Sequence, residues 1–155
     1  MSLIKCLVNT MPTGIAASLH VIPDHISYSL IAKVLNVVFR EERQHHELDF
    51  LVGKSIKIDV TDIRFSFAIT LENNQFVVTN SSTADTVFKG GFNKFVLLAG
   101  QQTDPDMLFF NRDLVISGNT ELSLEVKGII ENFDRSRLPK QLNQILITHC
   151  QLILE

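Results

Sequence analysis

The hydrophobic residues of the chain follow helical spacing in its first third, strand spacing in its middle and helical spacing again at its end. Between Asp24 and Phe39 they recur at intervals of three and four and cover more than one side of the predicted helix. From residue 54 to residue 79 apolar and polar residues alternate, as in half-buried strands. This order predicts an α+β fold, with a five-stranded antiparallel sheet covered by helices on one face.

Turn-forming residues indicate where the predicted strands are connected. Asn73 and Asn74 tolerate positive φ, so the alternating segments 65–71 and 75–79 are expected to form an antiparallel hairpin. Two further short strands are predicted near 85–89 and 114–116.

Capping residues indicate where the predicted helices begin. Asp104 precedes Pro105, and this pair predicts a helix in which Asp104 caps the N-terminus and Pro105 takes the first position. Asn119 or Thr120 is expected to cap the helix that follows the fifth strand. Apolar residues at helical spacing before Gly100 predict another short helix between the fourth and fifth strands.

The length of 155 residues fits a single domain with one core. Pro12, Gly14 and Pro23 break up the beginning of the chain, so residues 1–23 are predicted to form an N-terminal arm. Residues 24–134 are expected to form the body of the domain, and residues 135–155 a C-terminal helix that covers it.

Composition and charge argue against several classes of function. Lys and Arg number 14 against 17 Asp and Glu, so the net charge is −3 and no basic field for nucleic acid is expected. Cys6 and Cys150 are too few for a disulfide framework, which favours a reducing compartment. No window has the roughly 18 uninterrupted apolar residues of a spanning helix, and Asn9 and Thr10 interrupt any signal-peptide core. A cytoplasmic location is expected.

The polar residues that could suggest catalysis are accounted for more simply by structure. Asp104 and Asp106 flank Pro105, as expected at a helix start, so they do not require a role as an acid–base pair. His149 lies on the apolar side of the last predicted helix, and no recognisable motif places a nucleophile beside it. We therefore predict no catalytic residues, no metal site and no cofactor, and the chain is not expected to be an enzyme.

Two segments of the chain carry the pattern of a known family. The segment 104–128, DPDMLFFNRDLVISGNTELSLEVKG, resembles the C-terminal signature of the sterol carrier protein type two (SCP-2) lipid-binding domain. Residues 47–53, ELDFLVG, and the strands after them extend the resemblance over about residues 24–134. The family usually has Asp where this chain has Asn119, and glycine is common where it has Ser123.

The resemblance implies that the sheet and the helices enclose an apolar cavity for a chain-like lipid. Hydrophobic residues that otherwise fill a core would then line this cavity, and each buried methylene of the lipid would contribute roughly 0.8 kcal/mol. The residues expected to line it are Phe65, Phe67, Phe76, Phe92, Phe95, Met107, Phe110, Val126, Ile130 and Phe133.

Within the family, the chain is similar to bacterial accessory factors of oxygen-independent ubiquinone biosynthesis. The resemblance implies that it holds the isoprenoid tail of ubiquinone or of its intermediates and presents the head group to the pathway hydroxylases. A general sterol or phospholipid carrier, a non-catalytic scaffold with a dry core, and an enzyme acting on a lipid are the alternatives.

The last predicted helix, about residues 139–154, is expected to be a movable cover that faces a membrane. Its apolar residues spread over more than one side, and Arg135, Arg137 and Lys140 would meet anionic head groups. Peripheral contact with the inner membrane is therefore expected. The predicted cover residues are Leu142, Ile145, Leu146 and His149.

Overall fold

The computed structural model describes residues 24–155, and the predicted arm over residues 1–23 lies outside them. Within that range the helices are α1 (Asp24–Val38), α2 (Arg40–Gln44), α3 (Phe92–Ala99), α4 (Pro105–Phe110), α5 (Thr120–Asn132) and α6 (Lys140–Leu154). The strands are β1 (Ile56–Val60), β2 (Phe65–Glu72), β3 (Gln75–Thr79), β4 (Thr86–Gly90) and β5 (Leu114–Gly118). Single 3₁₀ turns follow α2 and α5, at Asp49–Leu51 and Arg135–Arg137.

The strands form one sheet in the order β3-β2-β1-β4-β5. The predicted five-stranded α+β fold is confirmed, but the sheet is mixed, because β1 and β4 pair in parallel while the other neighbours are antiparallel. The sequence pattern could not show this difference, since side chains alternate between the two faces in the same way in parallel and antiparallel strands.

One face of the sheet is apolar and the other is mainly polar. Ile58 of β1 lies opposite Phe67 of β2 and Phe88 of β4, so these three side chains share a face. Lys57 and Asp59 point to the other face. The apolar face carries Ile56, Ile58, Val60, Phe65, Phe67, Ile69, Leu71, Phe76, Val78, Phe88, Leu114 and Ile116.

Helix α1 protects the edge of the sheet that β3 forms. The side chain of Asn36 accepts a hydrogen bond from the Phe76 backbone N–H at 2.9 Å and donates one to the Phe76 carbonyl at 3.3 Å. Asn36 therefore takes the place of a further strand beside β3. Arg43 secures the same corner, because its guanidinium donates to the carbonyls of Asn36 at 2.6 Å and of Asn74 at 2.7 Å.

The core lies between the apolar face of the sheet and the helices. Phe88, Leu114 and Leu122 are almost completely buried at its centre. Half-buried residues pack around this centre, among them Leu35 of α1 and Phe39, which directly follows α1. The remaining buried members of the cluster are Leu48, Leu51, Ile56, Leu71, Phe76, Leu98 and Leu108.

The predicted turn and caps are present. Asn73 and Asn74 have φ of 50° and 60°, which is the left-handed conformation that a two-residue hairpin requires. The side chain of Asp104 accepts a hydrogen bond from the Asp106 N–H at 2.7 Å. Asn119 accepts one from the Leu122 N–H at 3.0 Å, so it is the cap of α5.

The cap of α3 was not predictable from its own segment. The preceding Gly91 has no side chain, and Asp62, in the loop between β1 and β2, accepts the hydrogen bond from the Phe92 N–H at 2.9 Å. A residue about thirty positions away in the chain thus performs the role that a local Asp or Ser usually has.

Candidate functional site

Four of the ten residues predicted to line a lipid cavity lie in or against the core cluster. Phe76 is buried within it, and Phe95, Val126 and Ile130 are half-buried and pack against it. They come from a strand and two different helices, so the fold brings them to one interior. Their role in lipid binding stays a prediction.

Phe65 and Phe67 form a second group at the start of β2. Their ring centroids are 5.7 Å apart, and Tyr28 of α1 lies 5.9 Å from Phe65. The Tyr28 hydroxyl donates to the Ser66 carbonyl at 3.1 Å. Partial burial raises the pKa of Tyr28, and the nearby carboxylate of Asp24 raises it further. The Tyr28 hydroxyl therefore remains a neutral donor.

A surface pocket of about 210 Å³ adjoins these aromatic rings. None of its lining residues belongs to the core cluster or packs against it, so the pocket does not connect the surface to the centre of the core. The pocket is lined by Asp24, Tyr28, Ile63, Arg64, Phe65, Ser66 and Asn80.

Phe92 and Phe133 lie away from the centre of the core. Phe92 packs edge-on against the ring of His149, with 5.6 Å between centroids, and joins α3 to α6. Phe133 lies 5.9 Å from Phe39 and joins the end of α5 to the end of α1. Both are half-buried and connect helices to one another.

The structure corrects the prediction that Met107 and Phe110 border the interior. These side chains are 56% and 76% exposed, whereas Pro105 and Leu108 of the same helix are buried. A helix of six residues has fewer than two turns, so several assignments of its inner side fit the sequence. The observed assignment places Leu108 in the core and turns Met107 and Phe110 towards solvent.

A larger pocket, of about 530 Å³, opens at the surface between the α3–α4 loop and the end of α5. Two of its residues, Leu98 and Ile130, belong to the core region, so the floor of the pocket is apolar. Its rim is polar. The pocket is lined by Leu98, Gln101, Gln102, Thr103, Asp104, Pro105, Ile130 and Glu131.

Sequence reasoning identified Ile130 and missed the other residues of this pocket. Gln101 and Gln102 follow Gly100 at the end of α3, where a loop was expected, and Gln101 has a positive φ of 55°. The only signal available in the sequence was a polar Gln-Gln pair directly after the glycine that ends a predicted helix.

The enclosed apolar cavity implied by the resemblance is not seen in the described residues. The space between the sheet and α5 is filled by side chains around Phe88, Leu114 and Leu122. The described pockets instead open at the surface. Buried side chains therefore occupy the centre of this space, and a lipid chain that entered there would have to displace or rearrange them.

Helix α6 packs against α3 through residues near the C-terminal end of α6. His149 and Cys150 are its buried residues, and the Cys150 thiol donates to the Val96 carbonyl at 3.5 Å. Burial lowers the pKa of His149 and raises the pKa of Cys150, so both groups are held in their neutral forms. A Cβ atom on Gly100 would overlap the Cys150 sulfur, so Gly100 permits the close approach of the two helices.

The predicted cover residues of α6 differ widely in exposure. His149 is buried and Leu146 half-buried, whereas Leu142 and Ile145 are exposed. Ile145 is 65% exposed and has no position in the core cluster. The helix thus covers a neighbour with only part of its apolar surface, and its role as a movable cover stays a prediction.

The linker before α6 is fixed at both of its ends. Gln101 donates to the Phe133 carbonyl at 2.7 Å, and Arg135 donates to the Gly100 carbonyl at 2.6 Å. Arg137, which was expected to meet lipid head groups, instead forms ion pairs with Glu41 and Glu42 of α2. Movement of α6 as a whole would have to break these contacts.

The acidic residues near the larger pocket are accounted for by local structure. Asp104, Asp106 and Glu131 each place a carboxylate oxygen within 4.8 Å of the others. Asp104 caps α4 and Asp106 forms an ion pair with Lys127 of α5. As predicted, Asp104 caps the start of α4, and Asp106 lies in its first turn.

Across residues 24–155, no helix combines the length and the apolar character needed to cross a bilayer. The longest described helices, α1 and α6, have 15 residues each.

Comparison with known proteins identifies the family. The model of the SCP-2 sterol transfer family matches residues 33–131, a region that includes the whole sheet, the floor of the larger pocket and α5 up to Glu131. The chain belongs to the SCP-2 sterol transfer family. A curated relative, the ubiquinone biosynthesis accessory factor UbiT of Escherichia coli strain K12, is 31% identical over 141 residues, which are 91% of this chain and 81% of UbiT.

Solved structures of SCP-2 proteins share the fold. The UbiJ-SCP2 ubiquinone synthesis protein superposes with a TM-score of 0.60 at 17% identity, over 71% of this chain and 93% of that one. The sterol carrier protein domain 2 of Helicoverpa armigera superposes with a TM-score of 0.51 at 16% identity, over 66% of this chain and 86% of that one. At these identities the likeness concerns the fold alone.

Proposed function

We propose that this chain is a non-catalytic accessory factor of ubiquinone biosynthesis that holds the isoprenoid tail of quinone intermediates. Membership of the SCP-2 family and the identity to UbiT over most of the chain support the proposal. The observation that carries it is the larger pocket, because its floor joins the apolar core directly to the surface through Leu98 and Ile130.

The pocket provides different surroundings for the two ends of such a lipid. An isoprenoid tail would pass between Leu98 and Ile130 towards Val126 and Phe76, where apolar side chains replace water around it. The quinone head group would stay at the rim, where Gln101 and Gln102 supply amide hydrogen-bond groups. A head group held there would be accessible to the hydroxylases of the pathway, with the complex located at the surface of the inner membrane.

The packed interior supports one alternative, a scaffold with a dry core that only brings biosynthetic proteins together. Mass spectrometry of an organic extract of the purified protein separates the two functions. The proposal expects a quinone or isoprenoid lipid in the extract, or uptake of added short-chain ubiquinone. Failure of both would favour the scaffold, and recovery of phospholipid or sterol alone would favour a general carrier.

A larger side chain at the gap between Leu98 and Ile130 tests whether the isoprenoid tail passes there. In the variant Ile130→Trp, the larger side chain should reduce bound ubiquinone several-fold, because it occupies the space between the floor and the core. Ile145→Trp on the exposed side of α6 is the matched control and should bind as the unmodified protein does. Thermal unfolding of both variants shows whether the loss exceeds any loss of stability. Equal binding by both variants would place the lipid elsewhere.

A further inference from the structure

Helix α4 presents a group of apolar side chains to solvent at one end of the molecule. Met107, Phe109 and Phe110 are 56%, 45% and 76% exposed, and Phe110 is the most exposed large hydrophobic residue in the described part of the chain. The rings of Phe109 and Phe110 pack edge-on with 5.9 Å between centroids, so together they form one continuous apolar surface. We call Met107, Phe109 and Phe110 the α4 tip.

The rest of the helix is firmly anchored, so the α4 tip is held in place. Leu108 is buried in the core cluster, Pro105 is buried at the first position, and Asp104 caps the helix. The ion pair between Asp106 and Lys127 ties α4 to α5. A rigid element that exposes aromatic rings loses little conformational entropy when it binds another apolar phase.

The charges around the α4 tip favour an anionic surface. The neighbouring Asp106 forms an ion pair with Lys127. Asp113 forms one with Lys94, with 3.2 Å between the charged atoms. Arg112 lies two residues after Phe110 and has no ion pair among the residues that the structure describes. The positive charge of Arg112 therefore lies next to the apolar rings, whereas the acidic side chains of Asp104 and Glu131 lie at the opposite end of α4, beside the pocket rim.

The same helix connects the α4 tip to the larger pocket. Asp104 and Pro105, at the start of α4, line the rim of that pocket. Helix α4 rises about 1.5 Å per residue over its six residues, so the tip lies within roughly 10 Å of the rim. A surface bound by the tip would lie close to the place where a lipid enters.

We propose that the α4 tip is the part of the protein that inserts into an anionic lipid bilayer, with Phe110 deepest and Arg112 at the head groups. This inference rests on the proposed function, since it assigns the surface from which the lipid is loaded. It replaces α6 as the expected membrane contact. A bilayer accepts exposed apolar side chains such as these without the complementary groove that a protein partner would have to supply.

A single tryptophan can report the insertion, because the chain contains none. We expect the emission of the Phe110→Trp variant to shift to shorter wavelength with vesicles of phosphatidylcholine and phosphatidylglycerol, and brominated phospholipid to quench it. The variant Ile145→Trp, on the exposed side of α6, is the matched control and should show neither change. The opposite result, with the response at position 145 alone, would overturn the proposal.

Vesicle flotation measures the contribution of the side chains. The double variant Met107→Ser/Phe110→Ser should bind these vesicles about tenfold more weakly, and Arg112→Gln about fivefold more weakly, than the unmodified protein. Circular dichroism confirms that the variants are folded. Unchanged binding by the folded double variant would contradict the insertion of the tip.

Two further measurements distinguish membrane insertion from dimerisation and from lipid carriage. Sedimentation velocity tests whether the tip instead joins two copies of the chain: a dimer that the double variant dissociates, with equal vesicle binding, would overturn the proposal. Lipid analysis of the purified protein tests the proposed function independently. If the purified protein carries no lipid but the Phe110→Trp variant inserts into vesicles, only the proposed function is refuted. If the protein carries lipid but the variant does not insert, only the role of the α4 tip is refuted.

Discussion

Helix α5 packs its apolar side into the core, whereas helix α6 contacts its neighbours mainly near its C-terminal end. Leu122 of α5 is 1% exposed at the centre of the core, and Val126 and Ile130 follow it at helical spacing. Helix α6 has similar apolar spacing but buries His149 and Cys150 against α3 and leaves Ile145 in solvent.

The two helices also begin differently. Asn119 caps α5 with its side chain, and the Ser123 hydroxyl lies 2.6 Å from the buried Thr86 hydroxyl of β4. Helix α6 follows Pro139 and has no side-chain cap. Apolar spacing therefore shows that a helix has a partner, but caps and tertiary hydrogen bonds determine how much of the helix is fixed.

The largest expected effect comes from α5. Leu122→Ala should lower the free energy of unfolding by about 2–5 kcal/mol, because it leaves a cavity in the core. Ile145→Ala in α6 is the matched control and should change it by less than about 0.5 kcal/mol, because that side chain is exposed. Urea unfolding measures both. Similar losses for the two variants would mean that α6 is as much a part of the core as α5.

Local signals in the sequence were sufficient for some element boundaries but not for α2, which was not predicted, or for the cap of α3. The cap at Asp104 and the Asn73–Asn74 turn depend on residues adjacent in the chain, and both are present as predicted. The parallel pairing of β1 and β4 depends on how the chain returns to the sheet after β3. No residue pattern within a strand encodes that path, so it could not be predicted from strand periodicity.

The candidate site was predictable only in part, for the same reason. Ile130 and Val126 were identified because α5 is long enough for its apolar side to be unambiguous. Met107 and Phe110 were wrongly predicted to face the interior, because α4 has too few turns for residue spacing to identify its apolar side. The pocket rim at Gln101 and Gln102 arises where two loops and a helix end meet, which is a tertiary property.

An intermediate effect is expected where α6 meets α3. Gly100 has φ of −78° and ψ of 0°, which alanine adopts without strain, so the cost of Gly100→Ala is its overlap with the Cys150 sulfur. We expect a loss of about 1–3 kcal/mol, which Cys150→Ala in the same chain should partly restore. Hydrogen exchange should show the loss in α6 and leave the amides of the sheet protected. Equal effects with and without Cys150→Ala would show that the two residues do not interact.

The smallest of these effects concerns the pH dependence of the same contact. Burial against Phe92 lowers the pKa of His149 below the value of about 6.5 that an unfolded chain has. Below that pH the unfolded state takes up a proton that the folded state resists, so the contribution of His149 to stability is present above about pH 6.5 and is lost as the pH falls towards the lower folded value. The nearest polar partner, the Asn93 side-chain oxygen at 3.4 Å, is neutral and only partly offsets the charge of a protonated ring.

The thermal midpoint of the unmodified protein should therefore fall more between pH of about 7 and about 5 than that of His149→Gln, in which this group does not titrate. Because other titrating groups are common to both chains, the difference between the two curves isolates His149. Parallel curves would show that the imidazole is accessible enough to be protonated without disturbing the contact between α6 and α3.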